Sequence, residues 1–300
     1  DTELIDLVLS KSGPRLVIMN TVQSAAVLAD RLAKKIYGEK YLIELTTTKI
    51  LHLSTSLSPV DREIIVDVIK KRLDPTNNEE NRDFTLVATS CVEAGVDFSF
   101  RSAFRERAGA ANLIQVGGRV RRNNEDFEPT LIDFRIEARF FNRHPAFTLS
   151  SQILEKLFDE GKIETDAPAN LVTEALRREL MSDTGEKHKR LKKMETEMDY
   201  PEVARLYKVI SNNTILVLVG EEIIKKIVDY KKGEKINPKE INRNSVQVWT
   251  DKLSKTCAYP LERFPGLYAL ATDNYGKTFL GYMKGMLPII EMDAQGGGVY

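Results

Sequence analysis

Residues Phe84 to Arg122 read FTLVATSCVEAGVDFSFRSAFRERAGAANLIQVGGRVRR, and this stretch decides the fold. Its apolar run, Phe84-Thr85-Leu86-Val87-Ala88, has the composition of a strand buried on both faces. A polar corner follows, closed by the tight turn Gly95-Val96-Asp97. The stretch ends in Gln115-Val116-Gly117-Gly118-Arg119-Val120-Arg121-Arg122. Read as a helix, this segment sets Gln115, Arg119 and Arg122 on one side, because they are spaced by four and three. Gly118 admits a close backbone or ligand approach. Two guanidiniums and an amide where a buried stripe would be apolar make a face that needs anions. Arginine suits a phosphate because it is planar, always charged and binds in a bidentate manner. An arginine reaching a γ-phosphate from outside its cradle accelerates phosphoryl transfer by roughly 10³–10⁵, or about 4–7 kcal/mol of barrier. A surface helix with unrelated salt bridges has the same spacing, so spacing alone leaves both readings open.

Outward from this stretch the chain alternates strand and helix. Leu16-Val17-Ile18-Met19-Asn20 is a short strand after Gly13-Pro14. Ser24 to Tyr37 has helical spacing, with Val27, Leu28, Leu32 and Ile36 on the apolar side and Gly38 as C-cap. Leu51-His52-Leu53-Ser54 is a second strand. Ser58 caps a second helix with Pro59 at its first position and Ile64, Ile65, Val68 and Ile69 on its buried face. Thr130-Leu131-Ile132-Asp133-Phe134 is a further strand. This order predicts a parallel α/β sheet with right-handed crossovers. Ligands of such sheets bind beyond the strand C-termini. Asn20-Thr21, Ser54-Thr55 and Thr89-Ser90 all lie there and would form one polar rim; Thr89 and Ser90 supply hydroxyls suited to a phosphate backbone. Asp97 is a carboxylate placed to orient ribose, water or an arginine. The Arg101, Arg105 and Arg107 run reads equally as a phosphate holder or as salt bridges around the arginine segment.

Residues 141–200 change character. Between Glu174 and Asp199 seven basic side chains face seven acidic ones, which points to a solvated helical linker. From 201 to 300 the chain reads as a small α+β domain, with Thr214 to Val219 as a strong strand, Glu221 to Tyr230 as an amphipathic helix and Ser245 to Trp249 as an edge strand. The expected domains are thus 1–140, 141–200 and 201–300.

Three hundred residues suit about two domains. The 44 basic residues balance 44 acidic ones, so net charge neither favours nor excludes nucleic acid. Two cysteines, Cys91 and Cys257, build neither a disulfide framework nor a metal knuckle, and they suit a reducing, cytoplasmic setting. No signal peptide and no apolar run of about 18 residues is present, so no membrane association is expected. His52, His144 and His188 are scattered, none is followed by aspartate, and no metal site is expected. The chain starts at Asp1 rather than methionine, as a fragment or a processed product would.

Thr89–Asp97 (T-x-x-x-E-A-G-V-D) followed by Gln115–Arg122 (Q-x-x-G-R-x-x-R) resembles motifs V and VI of superfamily-two helicases. LVIMNTVQSA at 16–25, HLSTSLSPVDRE at 52–63 and LVATSCVEAGVDFSFR at 86–101 resemble the CRISPR-associated helicase–nuclease of type I systems. The resemblance spans roughly 15–136, the second RecA-like lobe, and residues 140–300 resemble that family's linker and C-terminal accessory domain. It implies an ATP-dependent translocase stepping along single-stranded DNA. Gln115, Arg119 and Arg122 would face the ATP γ-phosphate, with both arginines as fingers and Gly118 beside them. Gly95 and Asp97 would couple that site to the nucleic acid. Thr89, Ser90, Asn20, Thr21, Ser54 and Thr55 would line the strand's path.

The resemblance also implies what must come from elsewhere: a first RecA-like lobe holding ATP and Mg, a histidine-aspartate nuclease domain with its divalent metal, and a guide-RNA surveillance complex that delivers target DNA. No phosphate-cradling loop or acidic Mg motif stands upstream of residue 84, so the chain alone is expected neither to hydrolyse ATP nor to cut DNA. Ala271-Thr272-Asp273-Asn274-Tyr275-Gly276-Lys277-Thr278 mimics a phosphate loop, but only 22 residues follow it, and it reads as a turn. Another helicase, restriction-type translocase or RNA remodeller of the same superfamily, and a noncatalytic nucleic-acid-binding scaffold, remain the alternatives.

Overall fold

The computed structural model describes residues 2–92, 97–122, 126–137, 141, 144–182, 186–206, 213–230 and 236–294. They form two compact units. The first comprises Asp1–Arg107, Gln115–His144 and Thr214–Tyr300; the second comprises Ala108–Ile114 and Pro145–Asn213. Residues 214–300 therefore share a unit with residues 1–107, and the 145–213 segment is compact together with Ala108–Ile114.

The first unit begins with α1 (Thr2–Ser10), a helix not read from the sequence, which buries Leu4, Ile5 and Val8. Then come β1 (Arg15–Ile18), α2 (Val22–Tyr37), β2 (Ile50–Leu53), α3 (Pro59–Leu73), α4 (Glu79–Arg82), β3 (Thr85–Ala88), β4 (Ser102–Glu106) and β5 (Thr130–Phe134); α5 (Ala110–Gly117), between β4 and β5 in the chain, belongs up to Ile114 to the second unit. The five strands lie in the order β2-β3-β1-β4-β5, and every pair is parallel. This is the α/β sheet with flanking helices that the strand–helix alternation predicts. Ser58 and Pro59 start α3 as expected, with the Ser58 hydroxyl accepting from the Asp61 N–H, a cap worth about 1 kcal/mol. Ile65 and Ile69 are buried on α3, whereas Ile64 is exposed, and Asp61 and Arg72 occupy inward positions instead.

Strand β4 is not evident from the sequence. Ser102-Ala103-Phe104-Arg105-Glu106 carries adjacent opposite charges, yet all five residues are buried. A central strand with both faces covered leaves no solvent side for Arg105 and Glu106, so they satisfy each other's surroundings inside the fold.

After His144 the second unit forms α6 (Thr148–Asp159), α7 (Lys162–Thr165), α8 (Pro168–Ser182), α9 (Glu186–Thr196) and α10 (Tyr200–Leu206). Its small core joins Leu113, Ile153, Leu154, Leu157 and Ala175. Its charges pair locally: Arg178 binds Glu160 and Glu174, and Arg190 and Arg205 converge on Glu202.

The first unit then resumes with β6 (Thr214–Leu218), α11 (Glu221–Val228), α12 (Pro238–Arg243), β7 (Ser245–Trp249), β8 (Ala258–Pro260), β9 (Tyr268–Leu270) and α13 (Met283–Ala294). Its four strands order as β7-β6-β9-β8, mixed in direction, with β7 on the edge as its alternation predicts. Val217, Val246, Val248 and Leu270 share one core with Ala25, Leu28 and Leu32 of α2. Among the described residues no helix is long and apolar enough to cross a membrane.

Candidate functional site

The parallel register makes the two ends of the five-stranded sheet distinct places. At the end where the strands finish, Ile18, Ala88 and Leu53 lie side by side. Met19 N–H donates to Ala88 O at 2.8 Å, and Thr89 N–H to Leu53 O at 3.2 Å. Asn20-Thr21, Ser54-Thr55 and Thr89-Ser90 therefore emerge at this one end, as the sequence places them.

Their side chains do not form one outward row. Thr21 caps α2, its Oγ1 accepting from Ser24 N at 3.0 Å. Asn20 is held on three sides: its N–H donates to Glu106 Oε2 at 2.7 Å, its Nδ2 to Arg107 O at 3.0 Å, and its Oδ1 accepts from Arg105 Nη1 at 2.6 Å. Ser54 is fully buried, 2.8 Å from Ser56 Oγ. Thr89 is nearly buried, and its hydroxyl points at Cys91 Sγ, 3.5 Å away. Thr55 and Ser90 are the two of the six that stand exposed.

The arginine segment stands at the other end. Phe100 lies just ahead of β4, whose Ser102 is in register with Arg15 and Thr130, the first residues of β1 and β5. Helix α5 stops at Gly117. Two tight turns follow, Arg119 N–H to Val116 O at 2.9 Å and Val120 N–H to Gly117 O at 3.0 Å. The chain then runs parallel to Phe100, which donates to Arg119 O at 2.8 Å and accepts from Arg121 N–H at 3.1 Å. Gln115, Arg119 and Arg122 thus do not share one helical face. Adjacent glycines at 117 and 118 weaken the helix, and the backbone of Phe100 offers the freed groups new partners.

Arg121 adopts the left-handed region, with φ of 49°. This bend returns Arg122 towards the loop that leads into β4. Arg122 N–H donates to Ser99 Oγ at 3.0 Å, and its Nε lies 3.1 Å from Asp97 Oδ1. The Arg122 and Asp97 side chains are 43% and 79% exposed, so the pair faces solvent. Arg119 is buried, while Gln115 and Gly118 are exposed. Phe98, Phe100 and Val116 anchor the region in the core. The structure therefore joins Asp97 and Arg122 directly and ties Arg119 to them through Phe100. Gly95 lies outside the described residues.

Two polar clusters had no usable sequence signal. The first surrounds Arg105, which is 1% exposed and also donates to Glu106 O at 2.7 Å. Arg107 Nε meets Asp133 Oδ2 at 2.5 Å. Burial pushes the pKa of Glu106 and of Asp133 upward, against the pull of their hydrogen-bonding and cationic neighbours. Arg101 stacks its guanidinium 5.3 Å from the Phe127 ring centre. Arg105 and Arg107 are thus committed inside the lobe. The second cluster links Tyr275 to Ser58 and Asp61, more than two hundred residues away. His52 is fully buried against Phe279, and Lys277 sits exposed in the turn between Gly276 and Gly281. Among the described residues no three histidine, cysteine, aspartate or glutamate side chains gather as metal ligands do.

Residues 11–125 match the family model described as "CRISPR-associated nuclease/helicase Cas3, C-terminal". By this match residues 11–125 are similar to the C-terminal helicase region of such proteins. A curated relative from Haloferax volcanii, "CRISPR-associated nuclease/helicase Cas3", is 29% identical over 100 residues, covering 33% of this chain and 10% of that protein. The fold is similar to the crystal structure of T. fusca Cas3, with a TM-score of 0.56 at 14% identity over 90% of this chain and 36% of that one. It is also similar to a chain of a "CRISPR RNA-guided surveillance complex, pre-nicking", with a TM-score of 0.55 at 14% identity over 90% of this chain and 39% of that one. The chain thus spans little more than a third of the solved structures it resembles. The Cas3-like region holds both ends of the sheet described above.

Proposed function

We propose that this chain is the second motor lobe and C-terminal domain of an ATP-dependent single-stranded-DNA translocase that unwinds and helps degrade target DNA in CRISPR interference. The observation that carries the reading is the Arg122–Asp97 pair, facing solvent beside the Phe100–Val120 bridge within a region similar to the Cas3 family model. Arg122 supplies the exposed arginine finger, and Arg119 and Gln115, which the structure sets apart from its face, join it at the γ-phosphate only if closure of the two lobes turns them to it. ATP and Mg are held mainly by a first lobe that is not among these residues. The chain's own residues suit this division, since Arg122 is exposed and already aligned by an anion, Asp97, that a phosphate can replace. Thr55 and Ser90 at the opposite end present hydroxyls to a sugar–phosphate backbone. The names of the relatives add a nuclease and a guide-RNA surveillance complex as partners of the whole protein.

ATP turnover with single-stranded DNA tests the division of labour. The chain alone is expected to show none, and the chain joined to a first lobe of the same family is expected to hydrolyse ATP. Clear turnover by the chain alone overturns the half-site reading.

A further inference from the structure

The Ser54–Ser58 loop, at the strand-finish end of the sheet, bonds within itself through Leu57 N–H to Ser54 O and Ser56 N–H to Ser54 Oγ, but its two carboxy-terminal anchors lie elsewhere. It is gripped by the segment Tyr275–Met283, which lies near the other end of the sequence. Tyr275 Oη donates to Asp61 Oδ2 at 2.6 Å and accepts from Ser58 N–H at 2.8 Å. Ser58 Oγ donates to the same Asp61 oxygen at 2.6 Å, so one carboxylate oxygen gathers the loop end, the start of α3 and the distant tyrosine. Tyr282 N–H donates to Ser56 O at 3.1 Å.

The segment is shaped for this grip. Gly276 and Gly281 bond each other in both directions, N–H to O, at 3.0 and 3.1 Å. Gly281 has φ of +58°, and a Cβ there would overlap the Ser56 carbonyl. Phe279 at the turn's apex is buried between the rings of Tyr41 and His52, with centroids 5.7 and 6.1 Å away. Ser54 and Ser56 are thereby enclosed, and Thr55 alone of the three points outward.

We propose that Tyr275 is a positioning residue for nucleic-acid binding: through Ser58 and Asp61 it fixes the loop that presents Thr55 to the DNA backbone. This deepens the proposed function and rests on its placement of Thr55 along the strand's path. The chemistry follows from the two bonds. Tyr275 Oη is the acceptor of the buried Ser58 N–H, so removing the hydroxyl leaves that N–H unpaired and the loop end held by Asp61 alone, while the ring keeps its packing. The loop then samples several conformations, and the contact at Thr55 must be ordered at each binding event.

The test is a double-mutant cycle on the full chain, read by anisotropy with a labelled oligodeoxythymidine, alongside hydrogen exchange at residues 54–58 and thermal melting. Tyr275→Phe is expected to weaken binding about five- to tenfold, to raise exchange in the loop, and to leave the salt dependence unchanged because no phosphate-binding cation is lost. Thr55→Ala is expected to weaken binding by a similar factor in the native background and to do almost nothing more in the Tyr275→Phe background. Gly281→Ala, which pushes the segment off Ser56, should reproduce the Tyr275→Phe result. Full additivity of Thr55→Ala and Tyr275→Phe, or native-like binding by Tyr275→Phe, overturns this inference and leaves the lobe assignment standing. Absence of any binding by the native chain overturns the nucleic-acid reading and this inference together.

Discussion

The two ends of the five-stranded sheet use polar residues in opposite ways. Where the strands finish, Asn20, Ser54, Thr89, Arg105 and Glu106 are turned inward and bonded to one another's elements. Where the strands begin, Arg122 and Asp97 are turned outward and meet only at a solvent-facing pair. The same residue type thus has two fates within one short stretch: Arg105 is a buried staple and Arg122 an exposed hand. The difference is topological. Residue 105 lies in a central strand with neighbours on both edges, β1 and β5, whereas residue 122 follows a left-handed bend that leaves its side chain 43% exposed. A guanidinium available for a ligand is recognised by what covers it, not by its neighbours in sequence.

This contrast is best tested by removing each arginine. In the motor completed by a first lobe, Arg122→Ala is expected to lower kcat for ATP by about 10³ or more with an unchanged melting temperature, because an exposed ion pair contributes about 1 kcal/mol at most. Steady-state ATPase and calorimetry of the same preparation check both halves; a large loss of stability would place Arg122 with Arg105. Arg105→Met should do the reverse. It removes the Arg105 donor from Asn20 Oδ1 and from the Glu106 backbone carbonyl, and it is expected to cost about 3 kcal/mol of folding stability, measured by urea denaturation of the chain.

His52 gives a third effect, smallest near neutral pH, and it has a sign. Its ring is fully buried, neither nitrogen meets a hydrogen-bond partner among the described residues, and burial pushes its pKa down to about 3. The folded state therefore stays neutral where the unfolded state, with its ordinary value of about 6.5, binds a proton. Below that value stability falls with pH by about 1.4 kcal/mol per unit, down to about pH 3. Glu106 and Asp133, whose pKa values burial raises, act in the opposite direction. Comparing native chain and His52→Leu across pH 4.5–7 isolates the histidine: the variant should lose this slope, and equal slopes would show that His52 is already solvated.

The predicted strands around Leu16, Leu51, Phe84 and Thr130 are all present, because apolar runs flanked by breakers have few other ways to bury themselves. The caps at Ser58 and Gly38 were legible for the same local reason. Strand β4 was hidden by Arg105 and Glu106, whose burial depends on partners distant in the chain. The arginine segment was legible as chemistry but not as geometry. Spacing suggests one helical face, and the backbone of Phe100 instead holds Val120 in a single bridge between the turn at Arg119 and the left-handed bend at Arg121.

By itself the sequence determined the parallel α/β order, the helix starts and the helicase-type residues, since each rests on contacts within a few residues or on residue type. Tertiary structure alone decided which polar side chains reach solvent. That outcome depends on long-range packing: β1 and β5 over Arg105, and Tyr275 and Phe279 over the Ser54–Ser58 loop. A buried polar group must find its partner wherever the fold brings one, and that partner is not written beside it in the chain.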